Sequence, residues 1–166
     1  MKIVILITLF LWPLLASAEH CGPRAKHWNT AVELDSGPVT LHWTSGYESP
    51  DSVCGVSYKT SSGESRTLEV WGSEPVVNKT QSLLAFLFCE DDGCRKEILV
   101  ADVTRGVILK AILPIPSPQL FLKAKWNGAT RDLLIEVVAV SDAKALPPSH
   151  FVCSTAESLR CVKSGI

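Results

Sequence analysis

The segment Leu120-Phe121-Leu122-Lys123-Ala124-Lys125-Trp126-Asn127-Gly128-Ala129-Thr130-Arg131-Asp132-Leu133-Leu134-Ile135 decides the fold class of this chain. Asn-Gly suits a two-residue type I′ turn, in which both central residues take positive φ. Pairing outward from Asn127-Gly128 sets Lys123 opposite Asp132, Leu122 opposite Leu133 and Leu120 opposite Ile135. Apolar side chains then meet apolar ones and a lysine meets an aspartate, as an antiparallel register demands. Arg131 falls opposite Ala124 near the tip, where its long side chain can reach water. The stretch predicts a β-hairpin.

The same alternation recurs upstream. Val39, Leu41 and Trp43 share one face of a strand, Cys54, Val56 and Tyr58 a face of the next, and Leu68 and Val70 a face of a third. Ser61-Ser62-Gly63-Glu64 makes the turn between the last two. Ser82 to Cys89 is apolar on both faces, which fits a central strand or a buried helical turn. Ile98–Val103 and Val107–Leu113 are further strands, with Arg105-Gly106 between them. Pro114, Pro116 and Pro118 then break the pattern, because proline lacks a backbone donor. Roughly seven to nine short strands with turn-rich joints predict an all-β, antiparallel β-sandwich or jelly roll.

The first eighteen residues read as a signal peptide: Lys2, the apolar run Ile3 to Leu15, and the small-residue site Ala16-Ser17-Ala18. The run is shorter than the roughly 20 residues that span a bilayer, so a transmembrane anchor is not expected. Cleavage leaves 148 of 166 residues and, with the loss of Lys2, takes the net charge from −1 to −2. Such a balance offers no electrostatic reason to expect nucleic acid or an anionic membrane as partner. The expected organisation is a signal peptide over 1–18, one β-sandwich domain over 19–145, and a tail over 146–166 tied down by its cysteines. The expected location is extracellular.

Six cysteines, Cys21, Cys54, Cys89, Cys94, Cys153 and Cys161, all lie in the mature part. An even count in a secreted chain implies disulfides, and the sequence has no Cys-x-x-Cys pair that would suggest zinc. Six cysteines allow 15 pairings. Sequential pairing, Cys21–Cys54, Cys89–Cys94 and Cys153–Cys161, is the simplest. Against the last pair, Ser154-x-x-Glu157 looks like a capping box and suggests a short helix through Leu159. Eight residues of helix would hold Cys153 and Cys161 about 12 Å apart, beyond the roughly 7 Å that a disulfide tolerates. Either the segment bends back or these cysteines reach elsewhere.

Signals for chemistry are sparse. The chain has no Gly-x-Ser-x-Gly elbow, no His-Glu-x-x-His motif and no phosphate-binding glycine loop. Asp35, His42 and one of many serines can be assembled into a triad on paper, but His42 reads as an exposed strand histidine and no enzyme is expected. Glu90-Asp91-Asp92 is the densest acidic cluster and reads as a solvated turn rather than a calcium site, so no metal or cofactor is expected. Asn78-Lys79-Thr80 is the one N-glycosylation sequon and is expected to be exposed and modified. Trp28 and Trp71 are candidate binding anchors.

Several of these segments resemble a CUB domain, the extracellular jelly-roll module of spermadhesins, complement proteases and astacin-type proteases. After Cys21, the stretch Ser45-Gly46-Tyr47-Glu48-Ser49-Pro50-Asp51-Ser52-Val53-Cys54 is similar to that family's Gly-Tyr-Pro loop and second cysteine. Cys54-Gly55-Val56-Ser57-Tyr58 resembles its Cys-x-Trp-x-Ile strand, and Cys94-Arg95-Lys96-Glu97-Ile98-Leu99-Val100 its Cys-x-x-Asp-x-Leu segment. Pro116 to Val140 resembles the closing pair of strands, so the likeness covers residues 21–140. It implies a Cys21–Cys54 bond and places Glu97 at a position where some members bind calcium. The family's fourth cysteine belongs near Lys110 to Leu113, where this chain has none. Trp43 and Tyr58 have the spacing of a fibronectin type III module, the rival sandwich. What the CUB resemblance implies is a binding module that recognises an extracellular protein or carbohydrate through its loops. The competing expectations are a secreted effector or toxin acting on a host protein or membrane, and a small hydrolase.

Overall fold

The computed structural model describes residues 26–45, 51–88, 97–113, 119–128, 130–141, 144–145 and 147–165. Residues 1–18, expected to be a signal peptide, Cys21, Cys89, Cys94, Glu90-Asp91-Asp92 and Pro114, Pro116 and Pro118 lie outside the described residues. Strands β1 (Lys26–Leu34), β2 (Gly37–Ser45), β3 (Ser52–Lys59) and β4 (Ser65–Gly72) form a first antiparallel sheet in that order. Strands β5 (Val76–Asn78), β6 (Leu83–Phe88), β7 (Glu97–Asp102) and β8 (Val107–Ile112) form a second, also in chain order. In the third, β9 (Gln119–Trp126), β10 (Asp132–Ser141), β12 (Ser149–Ser154) and β13 (Arg160–Ser164) lie side by side. The short β11 (Lys144–Ala145) pairs with the end of β10.

The all-β, antiparallel expectation holds, but the layering differs from a jelly roll. The first two sheets are meanders of consecutive strands and the third departs from one only at the short β11, whereas a jelly roll interleaves strands between two sheets. The second sheet is the middle layer. Leu84 and Phe86 on β6, with Leu99 and Ala101 on β7, pack against Val39, Leu41, Val53, Val56 and Val70 of the first sheet. Their alternate neighbours Leu83, Ala85, Ile98 and Val100 pack against Leu133, Ile135, Val137 and Phe151 of the third. A strand buried on both faces has no polar side to show, which is why Ser82 to Cys89 reads as apolar throughout. Each such Leu, Ile or Phe stabilises the fold by about 1.5–3 kcal/mol.

Two glycines mark where the first sheet meets the second. A Cβ on Gly72 would lie 2.8 Å from the Cβ of Phe86, so β4 approaches β6 too closely for any side chain there. Gly106 turns the chain between β7 and β8 at φ +66°, and a Cβ there would lie 2.5 Å from the Tyr58 hydroxyl.

The β9–β10 hairpin forms around Asn127-Gly128, with a wider turn than the sequence predicts. Trp126 pairs with Leu133, and Asn127 N–H donates to the Asp132 carbonyl at 2.9 Å. Gly128 has φ +52° and Asn127 does not take positive φ, so the turn is not type I′. The Thr130 hydroxyl closes it by donating to the Asn127 carbonyl at 2.8 Å. The register moves by an even number of residues, so every side chain keeps its face. Lys123 meets Glu136 instead of Asp132, with 3.7 Å between charges, while Leu122 pairs with Val137 and Leu120 with Ala139.

The wider turn sends Arg131 inward rather than to a water-facing tip. The Asp102 carboxylate, fully buried at the end of β7, receives the Arg131 guanidinium and Arg105 Nε, the latter at 2.6 Å. Arg105 also donates to the carbonyls of Thr155 and Ala156 at 3.1 and 3.2 Å. Thr155 in turn donates its amide and hydroxyl to the Arg131 carbonyl. One carboxylate thus joins the β7–β8 turn, the β9–β10 turn and the connection between β12 and β13.

That connection is not the helix suggested by Ser154-x-x-Glu157. Residues 156–158 form a bend, since the backbone of Thr155 and Ala156 is committed to the two arginines. The bend returns the chain so that Cys153 faces Cys161 across the β12–β13 pair, with Cα atoms 4.0 Å apart, and the two are disulfide-bonded. Residues expected to be a tethered tail are therefore two strands of the third sheet. Cys54, buried on β3, is also disulfide-bonded.

Asn78, expected to be exposed, is 5% exposed. Its Nδ2 donates to the Thr130 carbonyl at 3.1 Å and its Oδ1 accepts from the Gln81 amide at 3.2 Å. The side chain thereby fastens β5 to the β9–β10 turn, beside a second tie from Trp126 Nε1 to the Val76 carbonyl at 2.9 Å.

Asp102→Ala leaves two arginines around an emptied site and is expected to cost about 3 kcal/mol in a chemical denaturation experiment; a loss below about 0.5 kcal/mol would show that the cluster does not hold the turns. Gly72→Ala is expected to cost about 1–3 kcal/mol by overpacking against Phe86, and a neutral result would contradict the stacking of the first sheet on the second. Folded protein secreted from a glycosylating host is expected to have the bare-chain mass at the Asn78 peptide, because a glycan on Nδ2 has no open path; a hexosamine-bearing peptide would refute this placement.

Candidate functional site

The first sheet buries one face and presents the other to solvent. Val32 and Leu34, Val39 and Leu41, Val56 and Tyr58, and Leu68 and Val70 face the core. By alternation Asn29, His42, Gly55, Ser57, Thr67, Glu69 and Trp71 face outward. Register then sets His42 between Asn29 on β1 and Gly55 on β3, and Ser57 between Thr40 on β2 and Thr67 on β4.

Four of these side chains are hydrogen-bonded in a row across four strands. Asn29 Oδ1 lies 2.9 Å from His42 Nδ1, His42 Nε2 lies 2.7 Å from Ser57 Oγ, and Ser57 Oγ lies 2.6 Å from Thr67 Oγ1. An amide oxygen only accepts, so His42 carries a hydrogen on Nδ1, and in the neutral imidazole Nε2 accepts. Ser57 therefore donates its one hydroxyl hydrogen to His42, and Thr67 donates to Ser57. Gly55 makes room for the ring: a Cβ there would stand 3.4 Å from His42 Cδ2.

A concavity of about 460 Å³ adjoins the row, lined on this face by Ala31, Thr40, Ser57 and Lys59. Trp71, 47% exposed, stands on the same face of β4, two residues beyond Glu69. A second concavity of about 460 Å³ lies on the outer face of the third sheet, between the Lys123–Glu136 pair, His150, Leu134 and Val152.

The sequence-derived candidates divide accordingly. His42 is partly exposed as expected, but its neighbour is Asn29, while Asp35 sits in the β1–β2 turn. Trp71 is available as an anchor. Trp28 is half-buried and stacked on Trp43, with ring centroids 5.9 Å apart, and the Trp43 indole donates to Thr30 at 2.7 Å. Glu97 forms an ion pair with Lys110 at 3.6 Å on the neighbouring strand. No group of three or more metal-ligating side chains occurs among the described residues, and no helix among them is long and apolar enough to cross a membrane. Nothing in the local sequence of Asn29 or Ser57 marks either as a site residue; only the register brings them to His42.

Comparison with protein-family models, with curated proteins and with solved structures finds no match for this chain.

Proposed function

We propose that this protein is a secreted extracellular binding protein whose ligand is a glycan, held on the outer face of the first sheet. The observation that carries this reading is the row Asn29–His42–Ser57–Thr67 on a face that also carries the exposed ring of Trp71, farther along β4. A sugar presents hydroxyl groups that both donate and accept, and a flat apolar face of C–H groups. A polar row whose members hold one another in place meets the first without a large ordering cost. An exposed indole meets the second with a rigid apolar surface. Ligands without charge also suit a chain near electrical neutrality. Secretion is supported by the leading apolar segment and by the Cys153–Cys161 disulfide, a bond that persists in oxidising compartments.

A glycan array probed with the disulfide-intact protein, followed by calorimetric titration of the best ligand, tests the reading. Trp71→Ala and His42→Ala are each expected to weaken binding roughly tenfold, or about 1.4 kcal/mol, while Lys125→Ala on the third sheet leaves it unchanged. Absence of any glycan bound, or equal affinity in Trp71→Ala, would end this proposal. Vesicle lysis without glycan binding would favour a membrane-directed effector.

A further inference from the structure

We infer that Ser57 is also a nucleophile for acyl transfer, acting on short-chain carboxylic esters at the cavity beside it. Three groups stand in the connectivity that nucleophilic catalysis by serine requires: an orienting acceptor on one imidazole nitrogen, and the serine hydroxyl on the other. Asn29 Oδ1 at 2.9 Å keeps the hydrogen on His42 Nδ1, and His42 Nε2 at 2.7 Å is left as a base for Ser57. Asn29 acts as a positioning residue, since it reaches the reaction only through the imidazole. Thr67, which donates to Ser57 Oγ at 2.6 Å, holds the oxygen in place while its hydrogen points to His42.

The developing negative charge needs a donor as well. Around Ser57, β3 pairs regularly with both β2 and β4 at Val56, Ser57 and Tyr58, so the backbone amides there are engaged in strand pairing. Thr40 is the remaining candidate. It lies directly across from Ser57 on β2, faces the same side, lines the same cavity, and its hydroxyl has no protein partner among the described residues. A single hydroxyl donor is a modest oxyanion site, which restricts the chemistry to esters with good leaving groups. The cavity of about 460 Å³ accommodates an acyl chain of a few carbons.

The step balances with water as the only co-reactant. Ser57 Oγ bonds to the ester carbonyl carbon as its proton passes to His42 Nε2. The bond from that carbon to the leaving oxygen breaks, and the leaving alcohol takes the proton from Nε2. Water then attacks the acyl-serine and gives a proton to Nε2. The carbon–Oγ bond breaks, the carboxylic acid departs, and Ser57 recovers its hydrogen from the imidazole.

The test is active-site labelling of the intact, disulfide-bonded protein with a fluorophosphonate, the adduct being placed by peptide mass spectrometry, together with hydrolysis of 4-nitrophenyl acetate. Labelling is expected on Ser57, faster as the pH rises and the imidazole loses its proton, and absent in Ser57→Ala and His42→Ala. Hydrolysis is expected to fall at least about a hundredfold in Ser57→Ala and about tenfold in Thr40→Val. Asn29→Ala is expected to slow labelling and flatten its pH profile, and Asn29→Asp to restore both. No adduct, an adduct elsewhere, or hydrolysis that survives Ser57→Ala would overturn the inference. The wild-type adduct decides the matter even if a variant fails to fold. Neither probe contains a sugar, so failure here leaves glycan binding standing, and failure of glycan binding leaves this result intact.

Discussion

Asp102 carries a charge into the interior, and the way that charge is met sets how the turns at one end of the molecule are arranged. Arg105 and Arg131 reach it from two separate turns, and Arg105 continues to the carbonyls of Thr155 and Ala156. A buried carboxylate is costly unless it is paired and hydrogen-bonded, so no one of these segments can move away without exposing the others to that cost. Apolar packing between sheets is non-directional and tolerates sliding. The geometry of guanidinium and carboxylate does not, and it supplies the registration that stacked meanders otherwise lack.

The same cluster explains where local sequence signals were overridden. Asn127-Gly128 strongly favours a two-residue turn, and Ser154-x-x-Glu157 favours a helical start. Both preferences are worth about 1 kcal/mol or less. Each concerns a segment whose backbone or side chain is claimed by Asp102 or its arginines, and each yields. The hairpin survives because a shift by an even number of residues preserves its faces, while the helix does not because Cys161 must return to Cys153.

The strands themselves were legible. Alternation at Val39-Thr40-Leu41-His42-Trp43 and around Val56 and Tyr58 reports a sheet with one wet face, and those residues divide as expected between core and solvent. The unbroken apolar run from Leu83 carried the further information that its sheet is covered twice. That information points to three layers rather than two, but only once a helical alternative is excluded, and periodicity cannot exclude it over six residues. The number of layers was therefore in the sequence without being decidable from it.

On the outward face of the first sheet His42 and Trp71 were legible, but the partners of His42 were not. Asn29 and Ser57 are 13 and 15 residues away from it, and they reach it through two strand registers, the second of which shifts at the irregularity between His42 and Trp43. A slip of one residue in either pairing would turn Asn29 or Ser57 toward the core and break the row. The row is thus a readout of register as much as a chemical site. Its stability is borrowed from the opposite face, where Leu41, Val56 and Val70 are packed against the middle sheet. Because the polar side chains contribute little to that packing, changes to them alter the outer face far more than the fold.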